Sequence, residues 1–235
     1  MKRTLLWIFA SATLGSATAA VADFAANMSS QGVRLQVQQQ LAQGLTPVQI
    51  AQAAVEAGVE PGIVSATIVS AVPASAAAVA KTVIQAALQF TVRVAAVIAQ
   101  VAPEAAAEVA RIATQASPQQ AAQIAAAVTQ VVLRAAAQIA AAVVRGVNQA
   151  EPQNAGQQTA LIVAAVNQIA PQSAQQTAQA VAAVTGQSVP QVQAAAQAVS
   201  AEAAQTVLQS NAAVNAQHVT PGPAAQPSAV PSGAR

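Results

Sequence analysis

Apolar and polar residues in this chain recur at helical spacing, and over its middle the recurrence itself repeats. In a frame begun at Pro73 and stepped by fifteen residues, the first positions are Pro73, Leu88, Pro103, Pro118 and Leu133. Six residues into each frame stand Val79, Val94, Val109, Ile124 and Ile139, followed by Ala80, Ala95, Ala110, Ala125 and Ala140. Twelve residues in stand Gln85, Gln100, Gln115, Gln130 and Arg145. The run AQIAAAV occurs at Ala122 to Val128 and again at Ala137 to Val143. On a 3.6-residue helix, offsets three, six, seven and ten share one side and are almost wholly Ala, Val and Ile. Offsets one, five, eight and twelve lie opposite and carry Lys81, Gln89, Arg93, Glu104, Glu108, Arg111, Gln119, Gln123, Arg134 and Gln138. The pattern predicts amphipathic helices whose wet side is mainly glutamine. Units of this kind bury their apolar faces by stacking on neighbours.

Past Glu151 the period changes. Val163, Val181 and Val199 are eighteen residues apart, and Gln158 to Val166 (QTALIVAAV) is echoed by Gln176 to Val184 (QTAQAVAAV). Pro152, Pro171 and Pro190, each followed by Gln, open three units. Eighteen residues make five helical turns, which accommodates a helix of about fifteen residues and a tight link. Proline is tolerated at the first helical position, so Thr46-Pro47 and Ser117-Pro118 read as an N-cap and first turn; Gly44 and Gly58 suit C-terminal caps. The predicted helices run over 30–43, 47–57, 61–71, 73–101, 103–115, 118–146, 152–169, 171–186 and 190–209. From Asn211 onward Pro, Ser, Gly and Ala occur without periodicity, which predicts a flexible tail.

Composition explains how such a chain would hold together. Hydrophobic residues make up 54% and charged residues 7% of the sequence, yet the apolar content is mostly Ala and Val. Alanine favours helix most, but burying its methyl gains only about 0.8 kcal/mol, so stability has to come from many close contacts. There is no cysteine, which excludes a disulfide framework, a thiolate metal site and a lipid anchor through an N-terminal Cys.

The N-terminus has the layout of a cleaved export signal: Lys2 and Arg3, an apolar run from Leu5 to Leu14, then small residues ending at Ala19 or Ala22. The expected location is therefore secreted or periplasmic. Without Lys2 and Arg3, seven basic residues stand against seven acidic ones. Arg34, Lys81, Arg93, Arg111, Arg134 and Arg145 are scattered singly, so nothing favours nucleic acid as a partner. The uncharged stretch between Glu151 and Glu202 carries Gln, Asn or Ser every few residues, which argues against a membrane span after signal cleavage.

Residues able to carry chemistry are sparse. The single His, His218, lies in the tail, with no second His or Cys to complete a metal site. Glu104, Glu108 and Arg111 are ordinary surface neighbours on one helix, and Glu56 and Glu60 flank a turn. Asn27-Met28-Ser29 is a glycosylation sequon only in a eukaryotic source. Thr67, Thr82, Thr114 and Thr129 form no regular row of the kind an ice- or polymer-adsorbing face would need. No catalytic, cofactor-binding or metal-binding residue is assigned, and no cofactor is expected.

The expected fold is all-α, an Ala/Val/Gln-rich helical repeat resembling an α-solenoid or stacked helical hairpins, with a disordered C-terminal tail. Its divisions are a signal peptide at 1–22, short helices at 23–72, fifteen-residue repeats at 73–147, eighteen-residue repeats at 148–209 and a tail at 210–235. The expected function is an exported non-catalytic structural or interaction protein that binds itself or another protein. The alternative is a soluble helical binding module for a peptide or apolar ligand.

Overall fold

In a computed structural model that describes Phe24 and residues 29–199 and 201–216, the chain is all-α, with no strand among the described residues. Twelve helices follow one another among these residues: α1 Ser30–Ala42, α2 Pro47–Glu56, α3 Pro61–Ala71, α4 Ala76–Ala86, α5 Thr91–Val101, α6 Ala106–Ala116, α7 Ala121–Val131, α8 Ala136–Ala150, α9 Ala155–Ile169, α10 Ala174–Thr185, α11 Val189–Ala198 and α12 Ala201–Ala216. The predicted export signal and residues 217–235 of the predicted tail lie outside the described residues.

From α1 to α11 each helix packs on the next and, where there is one, on the one after that. This produces two layers, odd-numbered helices in one and even-numbered helices in the other, stacked along a common direction. Such a repeat of antiparallel helical pairs is an α-solenoid. The inward columns follow the fifteen-residue frame: Val79, Val94, Val109, Ile124 and Ile139, with the alanines after them, are fully buried. Gln85, Gln100, Gln115 and Gln130 are exposed. Val163 and Val181 are buried in the same core, whereas Val199 is half-buried in an extended conformation that ends α11.

The links differ from the sequence expectation in an informative way. The expected helices 73–101 and 118–146 are each two helices, broken at Ala87 and Val132. At every break from α3 to α10 one residue leaves the helix and a three-residue 3-10 turn follows. Preceding proline, Ala102 has φ −128° and ψ 76°, and Ser117 has −141° and 69°. Preceding Leu88 and Leu133, Ala87 has −145° and 65°, and Val132 −133° and 66°. Leucine thus occupies the proline slot without changing the backbone. Packing imposes the break, and proline merely agrees with it. Turns begin at 133, 152 and 171, so these units are nineteen residues long. The extra residues add about one helical turn to α8 and α9, which have 15 residues where α4 to α7 have 11.

Other details of the termini separate in the same way. Thr46 caps α2 in a reciprocal box with Gln49, and Gly44 and Gly58 adopt φ of 87° and 81°. Ser117 makes no cap; its hydroxyl lies 3.2 Å from that of Thr91 across the stack. Pro190 opens no 3-10 turn, because Ser188 and Gln191 start α11 with a capping box. The expected helix 190–209 is two helices, and the second continues through Asn211 to Ala216, where the sequence pattern predicts a tail.

Gly146 marks a close approach between α6 and α8. A Cβ built there would stand 2.9 Å from Thr114 Cβ and 3.0 Å from the Arg111 carbonyl, so α8 fits against α6 only because that position is bare. Gly146→Ala should therefore destabilise, by about 1–3 kcal/mol from overpacking, although Gly to Ala inside a helix ordinarily stabilises by about 1 kcal/mol. Thermal melting of the two proteins gives the sign. Leu133→Pro should be neutral or stabilising by up to about 1 kcal/mol, since the backbone already has the form seen before and at proline. In one continuous 118–146 helix it would cost about 3 kcal/mol. Val109→Asp should cost several kcal/mol through an unpaired buried charge, while Gln100→Glu should shift urea midpoints little.

Candidate interaction surface

The acidic residues singled out in the sequence serve helix ends and surface pairs. The Glu60 carboxylate accepts from the Gly62 and Ile63 amides, capping α3, and pairs with Arg93 Nε of α5 at 3.3 Å. Glu56 accepts from the Gln52 side chain one turn earlier. Glu108 takes both Arg111 Nε, at 2.9 Å, and its neighbouring guanidinium nitrogen, while Glu104 is exposed outside that pair. The hydrogen bond from Arg111 holds the Glu108 carboxyl below its ordinary range, partial desolvation opposing it, and raises the guanidinium in turn. Among the described residues no cluster of three or more acidic, His or Cys side chains could hold a metal ion. No helix among them is long and apolar enough to cross a membrane. Ser29, the described residue of the sequon, caps α1 through the Gly32 amide; Asn27 and His218 lie outside the described residues. Thr114 and Thr129 are buried, and Thr67 and Thr82 donate to carbonyls of their own helices, so the four threonines make no common face.

What the stack presents instead is polar, mostly uncharged surface interrupted by shallow grooves. On the even layer, Gln149 of α8 accepts from both Arg111 and Gln115 of α6. These bonds link helices two apart in sequence on the wet side of the stack. Beside them a groove of about 420 Å³ runs between α4 and α6, with Ile84 and Ile112 among its apolar walls and Lys81, Gln85, Glu108 and Arg111 along its polar ones. At one edge a notch of about 410 Å³ is formed by Leu133, Arg134 and the Ile169–Ser173 link. Leu133 and Leu88, the two leucines in proline slots, are half exposed.

The odd layer is partly covered by the chain's own last described helix. α12 runs back across α7 and α9 and touches α5. Gln123 of α7 donates to Ser210 Oγ at 2.9 Å, and the Gln123 carbonyl accepts from Asn211 Nδ2 at 2.9 Å. Ala204 and Asn211, two turns apart on one side of α12, are buried, and Val207 between them packs partly buried on the core. An Ala methyl contributes about 0.8 kcal/mol and each neutral hydrogen bond about 1 kcal/mol. Against this, Asn211 Oδ1 is enclosed without a donor, which offsets part of the gain. α12 therefore buries fewer side chains than a helix of the stack such as α8.

The sequence pattern gives Gln149 and Gly146 no role, and it places Ser210 and Asn211 in a flexible tail. Gly146 has a usable signal, an isolated glycine within a helical pattern, which often marks a close approach. Gln149 has none, because its role depends on α6 and α8 being neighbours. No protein-family model matches the chain, and no curated protein or solved structure does either.

The Glu108–Arg111 pair yields a pH prediction. A carboxyl held low in the folded state adds stability above its unfolded range, and that contribution disappears as pH falls through the folded value. Half of the Glu108 side chain is exposed, so screening keeps the effect below about 0.5 kcal/mol. Glu108→Gln should match the parent in acid and fall short of it by that small amount at neutral pH, read from urea midpoints at the two conditions.

Proposed function

We propose that this chain is an exported, non-catalytic structural or interaction protein, and that it associates with itself. The observation that carries the reading is the character of the exposed surface. Gln153, Gln157, Gln168, Gln172, Gln175 and Gln179 face water along α9, α10 and the links before them. From Pro152 to Ala201 no charged residue interrupts them. A glutamine side chain both donates and accepts, so two such faces can pair without desolvating an ion, and nothing in this block repels a second copy. The near balance of charge in the chain without its basic N-terminus supports the same reading. Export rests on the layout of residues 1–22.

A second reading, a soluble module binding a peptide or apolar ligand, draws on the groove between α4 and α6. Its isoleucine walls are apolar and its rim is charged. The groove has no aromatic side chain, and ligand sites ordinarily gather aromatics with a few convergent polar groups. Self-association is the reading the surface favours.

Light scattering of the chain lacking residues 1–22, at low and high ionic strength, tests it. The expected result is a mass above that of one chain that changes little with salt, because few charges take part. A strictly monomeric protein at high concentration would remove the proposal and leave the groove as the functional surface.

A further inference from the structure

We infer that α12 is exchanged between copies: the helix that lies across α7 and α9 of its own chain takes the same seat on a second chain. The inference rests on the self-association proposed above and supplies its contact. The first support is connectivity. α11 ends at Ala198 and α12 starts at Ala201, yet α12 packs mainly on α7 and α9, elements far earlier in the chain, and so forms a covering piece rather than the next unit of the stack. A stacked unit is held by helices on both sides of it, whereas α12 rests on one layer.

The second support is the chemistry of the seat. Among its described side chains, α12 buries the Ala204 methyl and the Asn211 amide fully and Val207 in part, fewer apolar groups than a helix of the stack such as α8 buries. What undocking exposes is specific. The Gln123 amide and carbonyl on one side, and the Ser210 hydroxyl and Asn211 amide on the other, match each other in spacing and in donor and acceptor sense. A second copy offers the same set in the same geometry, which is the condition for exchange of an element between protomers. The groups that make these contacts are all uncharged, so they bring a second chain in without repulsion. The occupant that fits the seat is another chain's α12, not an acidic, basic or aromatic partner.

The absence of cysteine makes a direct test possible. In the chain lacking residues 1–22, Gln123→Cys and Ser210→Cys are introduced together and bridged at high dilution with a short bis-maleimide, which ties α12 to its own α7. The unbridged double variant loses the bond between the two side chains but keeps that of Asn211 to the backbone carbonyl at position 123, so it is expected to associate more weakly than the parent. The bridged protein is expected to remain monomeric at concentrations where the unbridged one associates. In a second arm the two single variants are mixed at high concentration and bridged. A covalent heterodimer joined through position 123 of one copy and position 210 of the other is the expected product, and circular dichroism checks that each variant is as helical as the parent. If the bridged protein associates as well as the unbridged one, or the associated mixture gives no heterodimer, exchange of α12 is overturned while self-association stands. If the unsubstituted chain lacking residues 1–22 is monomeric, both fail together.

Discussion

A side chain of one carbon is the constraint on which this structure depends. Alanine makes helix the favoured local state, but each buried methyl contributes only about 0.8 kcal/mol. The chain meets the constraint by number and by closeness. Alanines 80, 95, 110, 125 and 140 are fully buried beside Val79, Val94, Val109, Ile124 and Ile139, one pair per helix from α4 to α8. The valines and isoleucines supply volume, and the alanines let neighbouring axes close on them. Where even alanine would be too large, at the contact of α8 with Thr114 and the Arg111 carbonyl, the residue is Gly146.

The same constraint shapes the links. A helix of 11 residues presents about three turns to its neighbours, and a stack of such helices needs every chain reversal to bring the next helix back into register. One extended residue and a short 3-10 turn achieve that at each link from α3 to α10, with proline at the turn's first position in five links and leucine in two. The repeat is therefore a property of backbone geometry and packing more than of any single residue type. Nineteen-residue units fit the same stack as fifteen-residue ones because the added residues amount to about one helical turn.

Much of this was legible in the sequence, and the parts that were not have physical causes. The inward and outward columns were legible because burial selects residues at a fixed phase, and the buried valines and exposed glutamines of the fifteen-residue frame occupy the sides the pattern assigned. The breaks at Ala87 and Val132 were not, because the local signal for a break is proline and leucine carries none; there tertiary packing overrides helix propensity. The reach of α12 to Ala216 was hidden for the opposite reason. Among its described side chains it buries Ala204 and Asn211 and, in part, Val207, small or polar residues that write only a weak apolar phase into it. The polar contacts of Gln149 and Asn211 join helices that are distant in sequence, and a one-dimensional pattern does not reveal which helices are neighbours. Fewer chemical features were available for the surface than for the core, since glutamine is compatible with solvent, with another helix and with another molecule alike.

In a stack where each helix touches only near neighbours, stability is approximately local, and either end can open without disturbing the other. The path of α12 changes that for one part of the chain. By lying over α7 and α9 and reaching α5, it joins elements that the stack alone would couple only through intermediates. Opening α9 then also disturbs the cover over α7, whereas α1 to α4 have no such tie among the described contacts. The molecule thus has unequal ends: an N-terminal part free to open helix by helix, and a C-terminal part that a cross-brace makes more cooperative.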